Sequence, residues 1–95
     1  MSSRIEIKLP SDMEFLGIPD AILTEIGGDR ECDKQLLEEL STSVIEACTN
    51  AMEHGNKLEE ETPIEIIFEC NEEMVTVTVY DRQGRSASGT REVDR

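Results

Sequence analysis

Two β-prone runs separated by only three residues constrain the fold of this chain more than any other feature. Ile64–Cys70 and Met74–Tyr80 are joined by Asn71-Glu72-Glu73. Strands joined so tightly must be antiparallel, because a parallel crossover needs a dozen residues or more. In the second run Val75, Val77 and Val79 alternate with Thr76, Thr78 and Tyr80, the pattern of a half-buried strand rich in β-branched residues. Upstream, Asp33 is a credible N-cap for a long helix running to about His54. Leu36, Leu37, Leu40, Val44, Ala47, Cys48 and Ala51 supply its apolar stripe.

The N-terminal third reads as a strand followed by a helix. Ile5, Ile7 and Leu9 alternate with charges over Arg4–Leu9, and Pro10 stops the strand. Ser11 and Asp12 offer side-chain oxygens to the free amides of a helix start. Phe15, Ile18, Ile22 and Ile26 then recur at helical spacing up to Gly27-Gly28, read as a C-cap. Pro19 either kinks this helix or marks a second start at the first helical position. Residues 86–95 carry no apolar periodicity and read as a mobile tail. With no repeat and no long linker, residues 1–95 are expected to form a single domain. The order strand, helix, helix, hairpin predicts an α+β two-layer sandwich, with helices on one face of a small, three-stranded mixed or antiparallel sheet.

Composition narrows the function classes. The aromatics are only Phe15, Phe68 and Tyr80, so the core is aliphatic. No apolar run approaches the ~20 residues of a membrane span, and Met1-Ser2-Ser3-Arg4 lacks the apolar segment of a secretory signal. A soluble, cytoplasmic protein is expected. The net charge of −13 repels phosphate backbones and argues against direct nucleic-acid binding. It also repels free ATP, so a bound nucleotide requires a divalent cation, whereas a basic protein partner would be steered in. Acidic runs such as Glu59-Glu60-Glu61 and Glu72-Glu73 read as solvated loops. Cys32, Cys48 and Cys70 are odd in number and show no C-x-x-C spacing, which fits reduced structural thiols rather than a disulfide framework or a zinc site.

Glu46 and Asn50 stand outside the apolar arc of the long helix, about 40° apart around its axis. A carboxylate and an amide oxygen so arranged can hold a water and a Mg²⁺ ion. Magnesium prefers oxygen ligands and often binds through one protein oxygen plus substrate phosphates. Singly, each residue is ordinary on a helix flank, and His54-Gly55 is what many helix ends show. Jointly, Glu46 to Gly55 reads E-x-x-x-N-A-x-x-H-G. This resembles the first nucleotide box of the GHKL ATPases, in the branch of bacterial anti-sigma-factor serine kinases. The resemblance implies a histidine-kinase-like ATPase fold with ATP and Mg²⁺ as cofactors. Glu46 would be the general base that takes a proton from the attacking hydroxyl, and Asn50 would ligate the Mg²⁺ bridging the phosphates. Phosphoryl transfer needs mostly positioning and charge neutralisation, so this equipment is chemically sufficient.

Asp81 and Gly84 resemble the second box, D-x-G-x-G, where the aspartate accepts a hydrogen bond from the adenine amino group and glycines let the backbone approach the nucleotide. Here the run is Asp81-Arg82-Gln83-Gly84-Arg85, so neither glycine falls at the family spacing, and a one-residue shift recovers Gly84. The third box, a G-x-G-[LM] turn opening a helix under the phosphates, has no counterpart. The resemblance covers about residues 3 to 85 and implies a domain truncated at its C-terminus. It further implies a sigma factor and an anti-anti-sigma protein as partners, with a serine of the latter as phosphoacceptor, and a homodimer through the N-terminal strand and helix. The alternative is a non-enzymatic binding module that keeps the partner surface and has lost productive ATP binding.

Overall fold

The computed structural model describes residues 2–30, 34–71 and 73–92, with residues 29–30 and 85–92 described by backbone alone. Strand β1 (Ser3–Leu9) leads through a 3₁₀ turn (Met13–Phe15) into helix α1 (Gly17–Arg30). Helix α2 (Lys34–Asn50) continues into a π-helical turn (Ala51–Gly55), followed by strands β2 (Ile64–Cys70), β3 (Met74–Asp81) and β4 (Gly84–Glu92). The four strands form one antiparallel sheet in the order β1-β2-β3-β4. The predicted hairpin is its centre, with Phe68 opposite Val77 and Ile66 opposite Val79.

Period-2 alternation decides which face is buried. Ile64, Ile66, Phe68 and Cys70 of β2 join Val75, Val77 and Val79 of β3 in one cluster with Leu23 and Ile26 of α1 and Leu40, Val44 and Cys48 of α2. Both helices therefore cover one face, and the α+β two-layer sandwich stands. The opposite face is polar at its rim, where Arg4 faces Glu69 and Lys8 faces Glu65 across β1 and β2. These ion pairs are solvent-exposed and contribute at most about 1 kcal/mol each. Phe68 and Leu40 are almost wholly buried, and the core is otherwise aliphatic, as the composition requires.

Four local expectations change. The expected mobile tail, residues 86–95, instead pairs with β3 as far as Glu92 in a strand that starts at Gly84, giving a sheet of four strands rather than three. Its sequence shows no apolar alternation, and backbone pairing to β3 is what marks it as a strand. Residues 93–95 of that expected tail lie outside the described residues. Gly27-Gly28 is not a C-cap, since α1 runs on to Arg30. Gly27 is instead a packing glycine, because a Cβ there would lie 2.5 Å from Leu37 Cδ2 of α2. Ser11 does not cap a helix; its Oγ donates to the Thr62 carbonyl at 2.6 Å. Asp12 does cap, accepting the Glu14 amide at 3.0 Å. Pro19 is resolved as a first-turn proline of α1, where no intrahelical bond is lost. The proposed cap Asp33 and the thiol of Cys32 lie outside the described residues.

Candidate functional site

Glu46 and Asn50 lie on the last turns of α2, and Asp81 packs against Gly55 in the turn that follows them. The apolar stripe of that helix buries Leu40, Val44, Cys48, Ala51 and Met52 and leaves Glu46 and Asn50 exposed on the flank. One turn of an α-helix separates the two, about 6 Å along the axis. Among the described residues the exposed Asn50 side chain makes no capping bond. Beyond Asn50 the helix widens into a π turn, closed by the Asn56 amide donating to the Ala51 carbonyl at 2.8 Å. Such π turns recur at functional sites. The chain then reverses through Lys57 and Leu58, both left-handed at φ 54 and φ 56.

Gly55 is the joint between the helix and the sheet. It is buried, and a Cβ built on it would collide with the side chain of Asp81, lying 2.6 Å from its Cγ and 2.8 Å from its Cβ. Glycine is therefore required there by close approach, and that approach sets Asp81 against the end of the helix that carries Glu46 and Asn50. Asp81 is half-buried, and its Oδ1 accepts the Gln83 amide at 2.8 Å. That bond braces the tight turn Asp81-Arg82-Gln83-Gly84 joining β3 to β4. Gly84 has φ +114, with open space where a side chain would stand. Its need for glycine is thus conformational and belongs to the turn.

The donor set suits a magnesium–phosphate ligand better than a protein-caged metal. Among the described residues no group of three His, Cys, Asp or Glu side chains could hold a metal ion. An exposed amide oxygen beside an exposed carboxylate fits a cation that retains waters and takes its other ligands from phosphate. His54 is exposed, with Nε2 3.9 Å from Glu53 Oε2. Cys48 is buried and its thiol is pushed up to about 12 by burial, which makes it a core residue and a poor nucleophile.

The sequence reading missed Asn56. It is fully buried; its side-chain NH2 shares two hydrogens among Ser11 Oγ and the Thr62 and Pro63 carbonyls, and its oxygen accepts the Arg82 amide. An asparagine just past a helix-ending glycine looks like an ordinary cap, and no periodicity marks it otherwise.

Residues 9–94 match the model of the histidine kinase-like ATPase domain. The chain belongs to that family. Among curated relatives, the serine-protein kinase RsbW of Bacillus subtilis is 32% identical over 77 residues, covering 81% of this chain and 48% of the relative. RsbW of Bacillus velezensis is 31% identical over 78 residues, covering 82% of this chain and 49% of the relative. RsbW of Listeria innocua is 28% identical over 81 residues, covering 85% and 52%. The histidine kinase-like ATPase chain described here thus spans about half the length of the curated relatives it matches. No helix among its described residues is long and apolar enough to cross a membrane.

Proposed function

We propose that this ATPase-family chain binds ATP with Mg²⁺ at the end of α2 and serves as the kinase domain of an anti-sigma-factor regulator. The observation that carries the reading is the contact of Gly55 with Asp81. It joins the two stretches that resemble the family's nucleotide boxes, although they are distant in sequence. In this reading Asp81 accepts a hydrogen bond from the adenine amino group, and the turn at Gly84 brings backbone beside the nucleotide. Asn50 supplies the protein oxygen for Mg²⁺, which when bound neutralises phosphate charge. Glu46 takes the proton of a serine hydroxyl as the oxygen–phosphorus bond forms and the bond to ADP breaks. Relatives named serine-protein kinases support the choice of reaction.

The partners in this proposal are a sigma factor and an anti-anti-sigma protein, met in the cytoplasm. The charge of −13 favours basic surfaces on such partners. A homodimer through the N-terminal region is supported by β1 being an edge of the sheet, with Ile5 37% exposed. The same acidic surface favours the second reading, a partner-binding module without turnover.

Amide chemical shifts followed during ATP titration, with and without Mg²⁺, test the nucleotide site. Asn50→Ala should remove the metal-dependent part of binding. Asp81→Ala should lower the preference for ATP over GTP by roughly 10- to 100-fold, the worth of one hydrogen bond to a charged group. Absence of any shift with Mg-ATP overturns the nucleotide reading. Transfer of labelled phosphate to an anti-anti-sigma protein, lost in Glu46→Ala, separates the kinase from the binding module.

A further inference from the structure

We propose that Asn56 is a positioning residue for the nucleotide site, holding Asp81 in place from beneath. The inference rests on the nucleotide reading above for its functional consequence, and on geometry alone for its structural part. Asn56 is fully buried, and a buried primary amide is stable only when its donors and acceptor are all used. Here they are used on separate pieces of chain. The side-chain nitrogen lies 3.0 Å from Ser11 Oγ after β1, and 2.9 Å and 3.2 Å from the carbonyls of Thr62 and Pro63 before β2. The side-chain oxygen accepts the Arg82 amide at 2.9 Å, in the turn between β3 and β4. The main-chain amide of the same residue closes the π turn at the end of α2.

Asn56 therefore follows Gly55, which touches Asp81, and binds Arg82, which follows Asp81. The two residues are gripped in register by adjacent contacts, one steric and one hydrogen-bonded. The Asn56–Arg82 bond adds to the strand pairing of β3 and the Gly55 contact in fixing Asp81 against the helix end. Another link across this junction, Arg82 Nη1 to Glu59 Oε2 at 3.2 Å, is exposed and weak. The buried carboxamide is the stronger tether, because losing it leaves the part-buried Arg82 amide and Pro63 carbonyl without this partner, while the Thr62 carbonyl keeps the Ser11 hydroxyl.

Ser11→Ala and Asn56→Leu separate positioning from general support. Ser11→Ala loosens the β1 side of the knot and leaves the Asn56–Arg82 bond intact. Asn56→Leu keeps the branched shape at a larger volume and removes that bond. In Asn56→Leu the Arg82 and Gln83 amide shifts should move and Arg82 exchange should speed up at least roughly tenfold, whereas Ser11→Ala leaves both near the unmutated values. The ATP-to-GTP affinity ratio, measured with Mg²⁺, should fall in Asn56→Leu to that of Asp81→Ala, and the double variant should fall no further. Unchanged Arg82 and Gln83 amides in a folded Asn56→Leu protein overturn the proposal, as does an equal effect from Ser11→Ala. If Asn56→Leu does not fold, hydrogen exchange in the unmutated protein decides. An Arg82 amide exchanging like an open-chain amide refutes the tether, and a protected one supports it. Should the unmutated protein bind ATP and GTP equally or not at all, the nucleotide reading fails, while the amide measurements still test whether Asn56 holds Asp81.

Discussion

Replacing Gly55 with alanine probes the joint between helix and sheet with a single methyl group. The new Cβ would stand 2.6 Å from Asp81 Cγ and 2.8 Å from Asp81 Cβ, about 1 Å inside ordinary carbon contact. Rotating the Asp81 side chain relieves the first clash but not the second, because Cβ is fixed to the strand. Either the end of β3 or the π turn must shift. Overpacking of this kind costs about 1–3 kcal/mol, offset by the roughly 0.5–1 kcal/mol that alanine gains over glycine in a helical segment. The difference spans about 0–2.5 kcal/mol, and its middle value of about 1 kcal/mol should lower the melting temperature by roughly 4–8 °C in a domain of this size. Thermal and urea unfolding measure it, with Gly28→Ala as control. A Cβ at Gly28 meets nothing within 4 Å, so that variant should gain about 0.5–1 kcal/mol. Asp81→Gly removes all of the crowding atoms, and a double-mutant cycle with Gly55→Ala should show coupling of about 1–2 kcal/mol. A Gly55→Ala protein that gains as much stability as Gly28→Ala, or zero coupling, would falsify the contact and remove the main support for a site shared by Asn50 and Asp81.

Three further outcomes are expected. Gly27→Ala should be about 1 kcal/mol less stable than Gly28→Ala in urea unfolding, because its Cβ meets Leu37 Cδ2 at 2.5 Å; trimming Leu37 to alanine in the same chain should narrow that gap. Cys48 holds its proton up to about 12 when folded, against 9.0 for a free thiol. Its contribution is complete below pH 9 and declines as pH rises toward 12, so stability should drop by about 1.4 kcal/mol per pH unit across that window, a slope absent in Cys48→Ala. Phe68→Ala empties the centre of the core beneath both helices and should cost about 3–5 kcal/mol by denaturant unfolding, enough to leave a domain of this size marginally folded.

The sequence by itself determined the elements whose side chains carry a period. The Val75, Val77, Val79 alternation and the short link after Cys70 specified an antiparallel hairpin. The stripe from Leu40 to Ala51 specified the helix that covers it, and Glu46 and Asn50 fell on the exposed flank because helical spacing left them no other place. Tertiary structure decided the rest, and in each case the deciding contact comes from residues distant in the chain. Strand β4 is marked as a strand by its backbone ladder to β3, and its sequence carries no apolar pattern. Gly27 reads as a helix stop until α2 is seen packed against it at Leu37. Gly55 ends a turn in any reading, yet only the approach of Asp81 explains why no side chain fits there. Asn56 is legible as a cap and nothing more. Its burial and its bonds to Ser11, Thr62, Pro63 and Arg82 arise from chain segments that meet only when sheet and helices close together. Periodicity is local and can be read along the chain, whereas a buried polar junction is defined by its partners and becomes visible only once they are assembled.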